Sequence, residues 1–210
     1  YLKKPSADQL SAYHAFVDSF RAETQSQEFV PQKETDKKPP LPLDEVDTQG
    51  FMTAWSNLQD THDFHSMLRE YRISRTDALR VARTDFSWQM PLTVVRYMLE
   101  LAANREVPIM VFVGNRGMIQ IHSGPVRKIK MMGDWLNVLD PEFNLHLRQP
   151  GVAECWLVEK PTEDGPVHSL ELYDADGATL VSFFGARKPG IPQREDWTQI
   201  VNELRPLEAV

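Results

Sequence analysis

The sequence predicts an α+β fold: helices first, then a large antiparallel β-sheet, then a C-terminal covering helix. Three observations carry this expectation. Before Arg105, apolar residues recur at steps of three and four, the signature of amphipathic helices. Beyond it the chain turns to short β-rich runs separated by turn residues, and connections this short join antiparallel neighbours, because a parallel pair needs a crossover of about a dozen residues or more. Finally, Trp197, Ile200, Val201 and Leu204 return to helical spacing.

Element by element, Ser6 and Gln9 form a capping-box pair ahead of Leu10, Tyr13, Phe16, Val17 and Phe20, which predicts a helix from Ser6 to about Thr24. Residues 25–47 hold Pro31, Pro39, Pro40 and Pro42 among charged residues and read as a flexible linker. A domain is expected over residues 48–210. It opens with one helix from about Thr48 to Tyr71, in which Phe51, Trp55, Leu58, His62 and His65 follow at alternating steps of four and three. Ser74 with Asp77 starts a short helix, and Pro91, placed in a first turn, starts another carrying Leu92, Val95, Leu99 and Ala102. The strands expected next are Pro108–Val113, Met118–His122, Arg127–Met131, Trp135–Leu139, Phe143–Arg148, Ala153–Glu159, Val167–Tyr173 and Thr179–Phe184. Their turns include Gly133-Asp134, Glu163-Asp164-Gly165 and Asp174-Ala175-Asp176-Gly177.

Composition narrows the function. With 41% hydrophobic and 25% charged residues in 210, the chain is globular. No apolar run approaches the ~20 residues of a bilayer span, so no stable membrane insertion is expected. A net charge of −7 argues against nucleic acid as the partner, while a local basic patch can still hold a small anion. The single Cys155 excludes a disulfide framework and fits a reducing, cytoplasmic compartment.

The common enzyme signatures are absent, so the sequence is read for ligand binding. His62 and His65 stand three apart on one helical face, where both imidazoles can meet a metal ion or a flat cofactor, or simply sit half-buried at the core edge. Zinc would want further ligands, and Thr61-His62-Asp63-Phe64-His65 adds only Asp63 on another face. Iron in a porphyrin asks the protein for a single axial imidazole. Arg75, Lys160 and Arg187 are surface charges when taken singly, and His122 and His146 are exposed or half-exposed sheet residues. Cys155 reads as a small buried hydrophobe, and Asp164 and Asp174 as turn residues.

Longer motifs carry a resemblance. Pro108-Ile-Met-Val-Phe-Val-Gly-Asn-Arg-Gly-Met-Ile-Gln-Ile-His-Ser-Gly-Pro-Val126 and Trp135-Leu-Asn-Val-Leu-Asp-Pro-Glu-Phe-Asn-Leu-His-Leu147 closely resemble the HemS/PhuS family of bacterial cytoplasmic hemin-utilisation proteins. The likeness continues through Lys160-Pro-Thr-Glu-Asp-Gly165, Ser169-Leu-Glu-Leu172 and Phe184-Gly-Ala-Arg-Lys-Pro-Gly190, covering about Phe51 to Leu204. Family members are built from two similar halves. The resemblance therefore implies that this chain is the second half, preceded by the linker and, in residues 1–24, by the closing helix of an absent N-terminal half.

It further implies haem b (iron protoporphyrin IX) in a cleft between halves. The iron would be bound by His62, with His65 a secondary ligand, and the propionates would meet Arg75, Lys160 and Arg187. Phe184 stands where several members carry a tyrosine hydroxyl, and Ser182 replaces a longer amide, so both are expected at the site with altered hydrogen bonding. The activity implied is haem carriage for iron acquisition, from an inner-membrane importer to a haem oxygenase. The alternatives are a haem-degrading enzyme that opens the ring, and a protein-interaction domain using the Phe51–Trp55–Leu58 stripe.

Overall fold

The computed structural model describes residues 5–24, 38–115, 117–188 and 190–205. The chain divides into two compact units, Tyr1–Lys37 and Lys38–Val210.

The first unit contains α1 (Ala7–Ser19), shorter than the expected Ser6 to Thr24. The capping box forms as read: the Ser6 hydroxyl accepts the Gln9 N–H, and the Gln9 side chain accepts the Ser6 N–H. Its stripe of Leu10, Tyr13, Phe16, Val17 and Phe20 is exposed along its whole length.

The second unit begins before residue 48. Of the stretch expected to be a flexible linker, residues 25–37 lie outside the described residues, but 38–47 are tied down. Leu41 donates its N–H to the Arg72 carbonyl at 2.7 Å, and the Arg72 guanidinium returns to the Pro39 carbonyl. A single 3₁₀ turn, Leu43–Glu45, then leads to Asp47, whose carboxylate caps the next helix by accepting the Gly50 N–H.

That helix is not the continuous Thr48–Tyr71 element expected from the stripe. It is α2 (Thr48–Ser56) followed by α3 (Asp63–Glu70). The break has a local cause. The Ser56 hydroxyl and Asn57 amide both bond back to the Thr53 carbonyl, and Asp60 accepts the His62 N–H in a turn of its own. Short polar side chains thus offer the backbone an alternative to the helix. Phe51, Trp55 and Leu58 are buried as expected, but beyond the break burial passes to Phe64 and Met67, and His62 and His65 face outward.

α4 (Arg75–Val81) follows the Ser74 cap, and α5 (Thr93–Asn104) starts after Leu92, leaving Pro91 one residue before the cap. Between them lies β1 (Ser87–Met90), a strand the sequence pattern did not announce. The remaining strands are β2 (Ile109–Gly114), β3 (Ile119–Gly124), β4 (Ile129–Met132), β5 (Trp135–Leu139), β6 (Asn144–Arg148), β7 (Glu154–Lys160), β8 (Val167–Tyr173) and β9 (Thr179–Gly185). They form two sheets: six antiparallel strands in the order β1-β7-β8-β9-β2-β3, and a separate β4-β5-β6. Gly124-Pro125 ends β3, since proline cannot donate to a ladder, and Asp140 then fastens the small sheet by accepting the N–H groups of Arg127 and Lys128.

The large sheet is covered differently on its two faces. One face buries Leu157, Leu170, Leu172, Val181, Phe183, Ile109 and Val111 against α5, the small sheet and α6 (Glu195–Leu204). On the other, Trp156, Val158 and Tyr173 pack beneath α2, α3 and α4. Trp55 locks this layer by donating its indole N–H to the Glu159 carbonyl at 3.0 Å.

Gly185, at the end of β9, lets α6 approach. A Cβ there would lie 2.5 Å from Cγ of Trp197, whose indole donates to the His168 carbonyl. Gly185→Ala is expected to destabilise the second unit by about 1–3 kcal/mol through overpacking, read by urea unfolding.

Candidate functional site

Pairing register shows what α2–α4 leave uncovered. Glu171 on β8 stands opposite Ser182 on β9, Ser182 opposite Phe112 on β2, and Phe112 opposite Ile121 on β3. The adjacent row runs Ser169, Phe184, Met110 and Ser123. Directly opposed residues share a sheet face. On the β8 side this face is buried; on the β2–β3 side it opens, with Ile119 and Ile121 58% and 56% exposed and Met118 exposed at the turn. Phe112 and Phe184 meet edge to face at 5.3 Å in the middle of the strip. The result is an apolar platform bordered by the α2–α4 layer.

At that border sits a charge cluster. Glu171, fully buried, accepts from Lys160 Nζ at 2.9 Å, from Ser169 Oγ at 2.7 Å, from the Tyr173 hydroxyl, and from Arg75 Nη2 at 2.8 and 2.9 Å. Arg75 Nε also reaches the Tyr173 oxygen at 2.8 Å. The Phe64 ring lies 4.8 Å from the Lys160 ammonium and 5.3 Å from the Arg75 guanidinium, and Phe184 is 5.9 Å from Lys160. Burial alone would raise the Glu171 pKa, but the charges of Arg75 and then Lys160 hold it far below the usual carboxylate range. Burial likewise opposes the charge on Lys160 and holds its pKa below the ordinary lysine value, against the pull of Glu171. Two cations around one anion leave the cluster with a net charge of +1.

His65 on α3 lies near this cluster, and His62 precedes His65 by one helical turn. His65 is exposed at its edge yet partly enclosed by neighbouring atoms, and this partial desolvation, then the charges of Arg75 and Lys160, lower its pKa from the ordinary histidine value. His62, at the N-cap of α3, is 85% exposed at its side chain, and its Nδ1 lies 2.7 Å from Asp60 Oδ1. The Asp60 carboxyl is held below its usual value by the His62 backbone N–H and then by the ring, with a smaller contribution from Arg187. A backbone bond from Glu163 N–H to the Gln59 carbonyl joins this loop to the β7–β8 turn.

The three cations differ in what they have free. Arg75 and Lys160 are committed to Glu171. Among the described residues, Arg187 has one long contact, 3.4 Å to Asp164, and its buried Nε has no partner, although the side chain is only 14% exposed. Asp164 is indeed a turn residue, and it also accepts the Gly190 N–H.

The structure thus brings His65, Arg75, Lys160, Ser182 and Phe184 to one sheet face and its border, while His62 bonds to Asp60 and Arg187 to Asp164. Glu171, Tyr173, Phe64 and Phe112 are site residues that sequence reasoning missed; the polar Ser169-x-Glu171-x-Tyr173 alternation on a strand with no exposed residue was the available signal. His122 stays apart: it faces the opposite side of the sheet and stacks on Phe143 at 3.8 Å. His146 is exposed and bonded to Asn137, and Cys155 is fully buried, its thiol pKa raised by burial.

The candidate site therefore combines an open apolar platform, a flanking cluster of net positive charge and, nearby, two imidazoles. Comparison with known proteins agrees in fold: residues 72–204 match the haemin-degrading HemS/ChuX domain, and the chain belongs to that family. It is 36% identical over 152 residues to the hemin transport protein HmuS of Yersinia pestis, covering 72% of this chain and 44% of that protein. Holo-PhuS, a heme-binding protein from Pseudomonas aeruginosa, superposes with a TM-score of 0.89 at 40% identity, covering 97% of this chain and 58% of the other. ChuS, described as an E. coli heme oxygenase, does so at 0.81 and 30%, over 95% of this chain and 59% of ChuS. The chain therefore spans less than half the length of the curated relative it matches.

Glu171→Gln leaves two buried cations against a neutral amide. The expected loss is about 3–5 kcal/mol of stability, measured by denaturant unfolding.

Proposed function

We propose that this chain binds haem as cargo for iron acquisition, on the open platform of the large sheet, with His62 as the axial ligand to iron. The observation that carries this reading is the open apolar platform bordered by the net positive cluster of Arg75, Lys160 and Glu171. The residues present fit haem b. Phe112, Phe184, Ile119 and Ile121 offer an apolar surface to the ring, at about 25 cal/mol for each Å² covered. Arg187 offers a charge-assisted bond to a propionate, and Lys160 and Arg75 add long-range attraction from their net positive cluster. Ser182 lies between Glu171 and Phe112 in register, and Phe184 supplies a ring face rather than a hydroxyl.

When bound, the iron supplies a coordination position for one protein imidazole. His62 holds its ring outward, and His65, its pKa lowered, stands one helical turn away as a secondary ligand. A single exposed ligand on an open face suits release, so the chain takes haem from an inner-membrane importer and passes it to a haem oxygenase in the cytoplasm. The opposite wall would come from a second, similar half, to which α1 belongs. Among the described residues no helix is long and apolar enough to cross a membrane.

The likeness to ChuS favours a second reading, in which the porphyrin is opened rather than handed on. Haem with a biological reductant and catalase separates the two: a defined tetrapyrrole product means degradation, and unspecific bleaching means carriage.

Titration with haem, followed by absorbance, tests the binding reading. A saturable one-to-one complex with a sharp Soret band is expected, and His62→Ala should abolish or reshape it; an unchanged spectrum and affinity would overturn the ligand assignment. Arg187→Ala should weaken haem binding roughly 10-fold, while leaving the affinity for haem dimethyl ester, which lacks free carboxylates, at the wild-type value.

A further inference from the structure

We infer that Asp60 is a positioning residue for the iron ligand: it fixes the ring orientation and tautomer of His62 so that Nε2 presents its lone pair outward. The inference rests on the reading of His62 as axial ligand and extends it to a residue outside the set assigned above.

One oxygen does two jobs. Asp60 Oδ1 accepts the His62 backbone N–H at 2.8 Å and lies 2.7 Å from His62 Nδ1. An ionised carboxylate can only accept, so Nδ1 carries a proton, and in the neutral ring Nε2 is the nitrogen left for a metal. The backbone bond fixes the turn and the ring bond favours one setting of the side chain against it, so a histidine with 85% of its side chain exposed is biased toward one orientation before any ligand arrives. That lowers the entropy lost on binding. The loop is anchored in turn by the Glu163–Gln59 backbone bond. A carboxylate behind a ligating imidazole also makes it a stronger donor to the metal.

The test uses the 210-residue chain and three variants. In the ligand-free protein, long-range ¹H–¹⁵N spectra of the His62 ring are expected to show the proton on Nδ1. Asp60→Ala should shift it toward the Nε2–H form that predominates in free histidine, and lower haem affinity about 10-fold. Asp60→Asn, whose amide oxygen still accepts, should keep the tautomer and most of the affinity, but lower the ferrous iron–histidine stretching frequency in resonance Raman spectra and raise the reduction potential. Asp47→Ala, which removes a comparable cap from α2, should move none of these. Unchanged tautomer and affinity in Asp60→Ala overturn the inference. If His62→Ala itself keeps the wild-type haem spectrum, the ligand reading has failed instead, and the tautomer result still reports on the Asp60–His62 pair alone.

Discussion

A carboxylate with no exposure to water, Glu171 on β8, organises the second unit. Around it converge a cation from α4, a cation from the end of β7, a hydroxyl from two residues before it and a phenol from two residues after. Each buried charge would be prohibitively costly alone; together they are mutually satisfied. The cluster ties the helical layer to the sheet at the border where the helices stop. Everything proposed for the site depends on that border, because it decides which half of the sheet face stays open and leaves one net positive charge beside it.

The sign of the pH linkage follows from the same cluster. Glu171 is depressed on folding, so its contribution to stability is complete above the unfolded carboxylate pKa and is lost only as pH falls through its far lower folded value. His65 is also depressed, so the folded chain resists its protonation and loses stability as pH drops below the ordinary histidine value. Mild acid thus acts on His65 before it acts on Glu171.

Local pattern made much of the fold legible. Val167–Tyr173 and Trp135–Leu139 match the expected strands residue for residue, because turn chemistry on each side is explicit. What local pattern could not supply is pairing between distant segments: β9 lies beside β2, and β1 at the edge of β7, across long stretches of chain. The same limit hid Glu171, whose meaning comes from α4 and β7. The helix break at Asn57 and Asp60 was legible in principle, since short polar residues compete for backbone bonds, but the apolar stripe overrode it. Arg75, Lys160 and Arg187 were found as cations; that two are spoken for and one retains a free donor emerged only from their partners.

If haem binds as proposed, the porphyrin lies on the uncovered half of the large sheet. Methyl resonances of the chain, followed while a diamagnetic gallium protoporphyrin is added, test it most directly. The account predicts shifts at Met110, Met118, Ile119 and Ile121, with Ile200 and Val201 of α6 on the opposite face unmoved. Shifts confined to the α6 face, or spread evenly over both, would contradict it.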